Sequence, residues 1–143
     1  DARVLDLDDP GSRVLLAAAI DHDAAHALEP SWDAVVSVAQ LIRFPDLAAT
    51  LRAIDRLLVP TGRFLAVEPV QRPGTVRMFL DAPFASARST RGFHIGRDLL
   101  AALRTTSLVA DDIDRFSFRT PLATLRHFVA VGARRPEPRT ETP

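Results

Sequence analysis

The chain contains no cysteine, so no disulfide framework holds it and no thiol does chemistry in it. Lysine, asparagine and tyrosine are absent too, and all 18 basic residues are arginine. That uniformity reads as coding bias towards GC-rich codons, not as a binding signature. Neither charge dominates: 18 basic and 18 acidic residues leave a formal net charge of zero. No overall field therefore draws the chain to nucleic acid or to a membrane surface. Long apolar runs are missing as well. The longest, Val14 to Ile20, has seven residues, against the roughly 20 that a spanning helix needs. No secretory signal is visible, and the expected location is cytoplasmic.

What remains is an ordinary globular balance, 47 % apolar and 25 % charged. A chain of 143 residues has room for one real core and not for two. Residues 1–134 are expected to form a single α/β domain, and 135–143, RPEPRTETP, a polar, proline-rich tail that is disordered. The chain opens on Asp1 rather than methionine, directly on the strand-like ARVLDL. The expectation is that upstream residues are missing or trimmed.

The organising stretch is Trp32 to Val70, which reads as strand, loop, amphipathic helix, tight turn and strand. Asp33 to Val38 is nearly continuous in apolar residues, as a buried parallel strand requires. Asp46 is placed to cap a helix with its carboxylate. Leu47, Leu51, Ile54 and Leu58 then fall on one stripe. Pro60-Thr61-Gly62 ends the helix, with Gly62 free to take positive φ. Arg63 to Val67 is the next strand, and Glu68-Pro69 ends it.

Elsewhere the pattern is uneven. Residues 3–7 form a short strand, closed by a turn at Asp8-Asp9-Pro10-Gly11-Ser12. Residues 14–20 fit a buried strand or the start of a helix, and periodicity does not separate the two. Residues 70–95 read as an irregular, arginine-rich excursion with one short helix at 76–80. A helix follows from Gly96-Arg97-Asp98 to near Thr106. Ile113 to Arg119 alternates as a half-exposed strand, and Leu125 to Ala133 is a last, buried one.

SWDAVVS at 31–37, the helix-turn-strand of 46–70 ending in Glu-Pro, and the helix and two strands of 93–135 together resemble class I S-adenosylmethionine-dependent methyltransferases, of the small-molecule type 11 kind. The resemblance implies a Rossmann-like, doubly wound, mostly parallel sheet with an antiparallel C-terminal hairpin. It also implies S-adenosylmethionine as cofactor and a small-molecule methyl acceptor. The family holds the cofactor on a glycine-rich loop, D-x-G-x-G-x-G, after its first strand, with acidic residues at the ends of the next two strands. These parts do not fit into residues 1–30, so the fold is expected to be incomplete at its N-terminal side.

Two placements of the N-terminal residues stay open. In one, RVLDL is the family's first strand, and Asp8-Asp9-Pro10-Gly11-Ser12 stands where the glycine loop belongs, its carboxylates repelling the cofactor's own. In the other, RVLDLD is the second strand, with Asp6 or Asp8 as the ribose acid and Asp21 or Asp23 beside adenine. The glycine loop would then lie outside the chain or come from a partner. The first is preferred, because VLDL is the family's usual spelling of strand one.

On the acceptor side, the resemblance points to Glu68, after the fifth strand, as a base or orienting group, and to His94, before the late helix, as a base. Gln40 and Arg43 follow the fourth strand, where the family often has histidines; Arg43 is suited to pairing an anionic group. Each also has a plainer reading, as a polar strand end, a structural histidine or a solvated loop arginine. His22 and His26 stand four apart with Asp23 between them, a faint echo of a metal-binding helix, and no metal is expected. The expectation for the whole is a non-catalytic or partner-dependent subunit. It would pair with itself or with an intact methyltransferase to cover the edge of an unfinished sheet.

Overall fold

The computed structural model describes residues 1–21, 29–70, 97–119 and 125–137. Five strands form one sheet: β1 (Val4–Asp6), β2 (Trp32–Val38), β3 (Leu58–Val70), β4 (Val109–Arg119) and β5 (Leu125–Arg134). Their order across the sheet is β1-β2-β3-β5-β4. The first three are parallel, and β5 runs antiparallel to both β3 and β4. The expected mostly parallel sheet, with one antiparallel strand near its edge, is what forms.

Among the described residues three helices accompany it: α1 (Pro10–Asp21), α2 (Leu47–Leu57) and α3 (Leu99–Leu103). The undecided stretch 14–20 is helix. Its start was hidden in the cluster read as a turn: Asp9 accepts the Ser12 N–H at 2.8 Å, and Pro10 takes the first helical position, where its missing N–H costs nothing. Asp46 caps α2 as expected, its Oδ1 2.9 Å from the Ala49 nitrogen. The stripe Leu47, Leu51, Ile54 and Leu58 is buried.

At the far end of α2 the turn differs from expectation. Positive φ falls on Thr61 (67°), not on Gly62. Gly62 is needed for space: a Cβ there would lie 2.8 Å from the Val59 carbonyl oxygen. β3 also runs past its expected end, because Pro69 and Val70 pair with Phe128 and His127 of β5. Glu68 therefore lies inside the strand rather than after it. Arg135, the first residue of the expected tail, is tied down, since its N–H donates to Gly62 and its carbonyl accepts from Thr61.

The core lies on one face of the sheet. Leu5 and Leu7 of the β1 segment, Val35, Phe64, Ala66, Val129, Val131 and Ala133 meet Leu16 of α1, the α2 stripe, and Leu99 and Leu103 of α3. The chain advances in one direction from β1 to β2 to β3, and right-handed crossovers then set both connecting helices on the same side. A doubly wound sheet reverses at its switch point and sends the helices of its other half to the opposite face. Among the described residues only one winding is present. The second face carries Val4, Val38 and Leu65 at 49, 47 and 41 % exposure.

Candidate functional site

In open α/β sheets ligands sit outside the carboxyl ends of the strands, at the place where the winding reverses. Here the carboxyl ends of β1 and β2 lie side by side, and the protein's own side chains bridge the crevice between them. The Gln40 amide nitrogen donates to Asp8 Oδ1 at 2.8 Å and to the Val38 carbonyl at 3.2 Å. The Gln40 oxygen accepts from Arg43 Nε at 2.8 Å and from Arg13 at 3.3 Å. Arg13 in turn donates to the carbonyls of Leu7 and Asp8 at 2.8 and 2.9 Å. Ala39, between β2 and Gln40, holds φ at 53°, a left-handed conformation uncommon for alanine.

Gln40, Arg43 and Asp8 are thus brought together, although the resemblance assigned them to opposite walls of a pocket. Asp6 is at the same strand end, but its Oδ1 accepts from the Asp8 N–H at 3.0 Å, a local turn. Asp23 and His94 lie outside the described residues, and so do His22 and His26. Sequence reasoning passed over Arg13, whose i+6 reach back to Leu7 is invisible until residues 14–20 are known to be helix.

A helix amino terminus binds anions through its free N–H groups. In α1 most are already taken: Pro10 has no N–H, the Asp9 carboxylate takes that of Ser12, and the Arg13 N–H bonds to the Asp9 carbonyl. The Ser12 backbone and hydroxyl bonds hold Asp9 below its ordinary pKa, so it is a carboxylate at neutral pH. An incoming carboxylate at this point would meet a negative charge.

Glu68 lies one strand over, 4 % exposed, beneath the 3-10 turn Leu41–Arg43. Its Oε1 accepts the Ser37 hydroxyl at 2.5 Å and the Leu41 N–H at 3.3 Å. Its Oε2 is buried and has no partner among the described residues. Burial pushes its pKa up, against the hydrogen bonds from Ser37, Leu41 and Gln40 and the nearby charge of Arg97. Arg97 is fixed by the carbonyls of Phe44 (2.5 Å), Leu41 (2.6 Å) and Pro45 (3.2 Å). Glu68 and Arg97 line a small pocket with Leu41, Ile42, Leu47, Pro69, Val70 and Leu99. The carboxyl group therefore organises the loop carrying Gln40 and Arg43, and leaves one oxygen for a hydrogen-bond donor.

Trp32 is half-buried at the opposite end of β2, with the Arg3 guanidinium 5.0 Å from its ring. Among the described residues no cluster of histidine and carboxylate side chains could hold a metal ion. No helix among them is long and apolar enough to cross a membrane.

The architecture has many counterparts among solved structures. A candidate methyltransferase from Bacillus halodurans superposes with a TM-score of 0.61 at 13 % identity, over 82 % of this chain and 69 % of its own. A SAM-dependent methyltransferase from Methanosarcina mazei gives 0.60 at 14 %, over 84 and 65 %. The fold is that of the class I methyltransferases. The N-methyltransferase NodS from Bradyrhizobium japonicum, solved with S-adenosylhomocysteine, gives 0.51 at 12 %, over 83 and 52 %. The methyltransferase-like chain thus spans only about half to two-thirds of these neighbours' lengths. No family model matches its sequence, and no curated protein sequence does either.

Proposed function

We propose that this chain acts as a non-catalytic or partner-dependent methyltransferase-like subunit in small-molecule metabolism, within the cytoplasm. One observation carries the reading: the Asp8–Gln40 bridge, with Asp9 on the end of α1, fills the crevice with the protein's own groups. S-adenosylmethionine brings an amino-acid carboxylate, and the residues at this crevice do not suit it. The Asp9 charge repels it, and the Ser12 N–H that could receive it is already taken by Asp9. The parallel pairing of β1 directly with β2 also favours the placement of RVLDL as the family's first strand. The partner in this reading is a second copy or an intact methyltransferase.

Calorimetry of the chain with S-adenosylmethionine tests it. The expected result is no binding by the chain alone and binding once a partner is present; micromolar affinity for the chain alone would remove the proposal.

A second reading is favoured by Glu68. A buried carboxyl with one bare oxygen beside Arg97 suits a small-molecule acceptor carrying a hydroxyl or amine. The domain would then be an active methyltransferase whose glycine-rich loop lies outside this chain or comes from a partner, with Glu68 and His94 on the acceptor and Asp6, Asp8 and Asp23 on the cofactor. Methyl transfer to an added hydroxyl or amine acceptor by the assembled complex, lost in Glu68→Gln, would favour this reading over the first.

A further inference from the structure

We propose that the face of the sheet that no described helix covers is a docking surface for a basic, amphipathic helical partner; this rests on the partner-dependent reading and names the kind of partner. The surface is a shallow groove, open to solvent, along β2, β3, β5 and β4. Pairing registers align its residues in rows. Asp6, Val36, Leu65, Gly132 and Asp112 stand side by side across all five strands. The next row is Val38, Val67, Ala130 and Asp114. Each row has an apolar floor and ends on a carboxylate.

The floor is made of valine and leucine side chains, with Gly132 and Ala130 leaving a shallower strip along β5. A Cβ on Gly132 would lie 3.3 Å from that of Asp112, so the position is kept bare beside its neighbours. The strip at Gly132 and Ala130 leaves room for a large side chain from the other side, as close packing requires. The sheet is four strand spacings wide, about 19 Å, which accommodates two helices of roughly 10 Å diameter lying side by side.

Charge decides between occupants. Asp111 is shared by Arg63 at 3.2 Å and Arg134 at 3.9 Å, which offsets one of the two positive charges at that end of the face and leaves the three other carboxylates in excess. Asp6, Asp112 and Asp114 form no ion pair among the described residues. A second copy would bring the same excess of carboxylates against them. A helix with an apolar stripe and Arg or Lys on both flanks complements floor and rim together.

The test uses two synthetic helical peptides of about 18 residues, enough to cross the sheet at 1.5 Å per residue. They share a leucine stripe; one is flanked by lysine and the other by glutamate. Binding of each labelled peptide to the whole chain is followed by fluorescence anisotropy. The lysine peptide is expected to bind about tenfold tighter, the worth of a few rim charges, and the preference to shrink with added salt. The double variant Asp112→Asn, Asp114→Asn should reduce that preference several-fold while leaving the fold intact, and Leu65→Asp should abolish binding. Equal affinity for both peptides, or binding indifferent to the rim variant, would overturn the proposal. So would a dimer in size-exclusion chromatography that Leu65→Asp dissociates, since the occupant would then be a second copy. Binding of S-adenosylmethionine by the chain alone would defeat the subunit reading and leave the peptide result standing. Lost peptide discrimination without cofactor binding would do the reverse.

Discussion

Ser37 donates its hydroxyl to Glu68 across 2.5 Å, joining β2 to β3 inside the core. Because Glu68 is buried with its second oxygen bare, the folded protein holds its proton to higher pH than the unfolded chain does. The folded state therefore binds the extra proton between the ordinary glutamate value of 4.5 and the raised native one. Stability is fully present below that window and falls as pH rises through it. Glu68→Gln keeps the shape and removes the titration. Thermal midpoints measured from about pH 4 to pH 8 should decline for the parent, and the difference between parent and Glu68→Gln should widen in the variant's favour as pH rises. Parallel profiles would show that Glu68 titrates normally.

The capping carboxylates give a second, simpler expectation. Asp46 accepts from Ala49 at 2.9 Å and Asp98 from Ala101 at 3.0 Å, each satisfying a first-turn donor. Replacement by alanine removes that partner, which costs about 1 kcal/mol at a helix start. α3 has only five residues, so Asp98→Ala should fray it locally, while Asp46→Ala lowers global stability. Urea denaturation checks the second, and amide exchange at Ala101 and Leu103 checks the first.

These caps mark what could be read in advance. The Asp46 signal, the leucine stripe and the apolar VVSV strand were legible because each is a local rule that tertiary contacts only reinforce. Residues 14–20 were not, since a run of seven apolar residues fits a strand and a helix equally well. The deciding signal was Asp9-Pro10, a cap and a first-turn proline, which also has the composition of a turn. Glu68 was read as a strand end, but its burial depends on β5 extending β3 by two more pairs, a partner over fifty residues away in sequence. The Asp8–Gln40 bridge joins residues 32 apart, and nothing local announces it.

That bridge yields a prediction of its own. Gln40 uses its amide as a donor twice and as an acceptor twice. Gln40→Ala strips Asp8 and Arg13 of a partner at a half-buried site, so a loss of about 1–2 kcal/mol is expected. The urea midpoint should fall with an unchanged slope, because the surface exposed on unfolding stays the same. A change below a few tenths of a kcal/mol would mean that water replaces the amide freely.

The turn after α2 separates two effects that the sequence runs together. Thr61 is β-branched and holds φ at 67°, where its Cβ crowds the backbone. Asparagine tolerates that region better, so Thr61→Asn should stabilise the protein by about 0.5–1 kcal/mol. Gly62 has no need of positive φ, but its missing Cβ is what admits the Val59 carbonyl. Gly62→Ala would place a methyl 2.8 Å from that oxygen and 3.2 Å from the Leu58 side chain. Both neighbours are held by the rigid junction of α2 and β3, where Arg135 also donates to the Leu58 carbonyl. The substitution should therefore cost more than about 1 kcal/mol, despite the entropy it removes from the unfolded chain. Opposite signs for the two adjacent variants, read as shifts in thermal midpoint, are the expected outcome. A stabilised Gly62→Ala would show that the turn yields to make room.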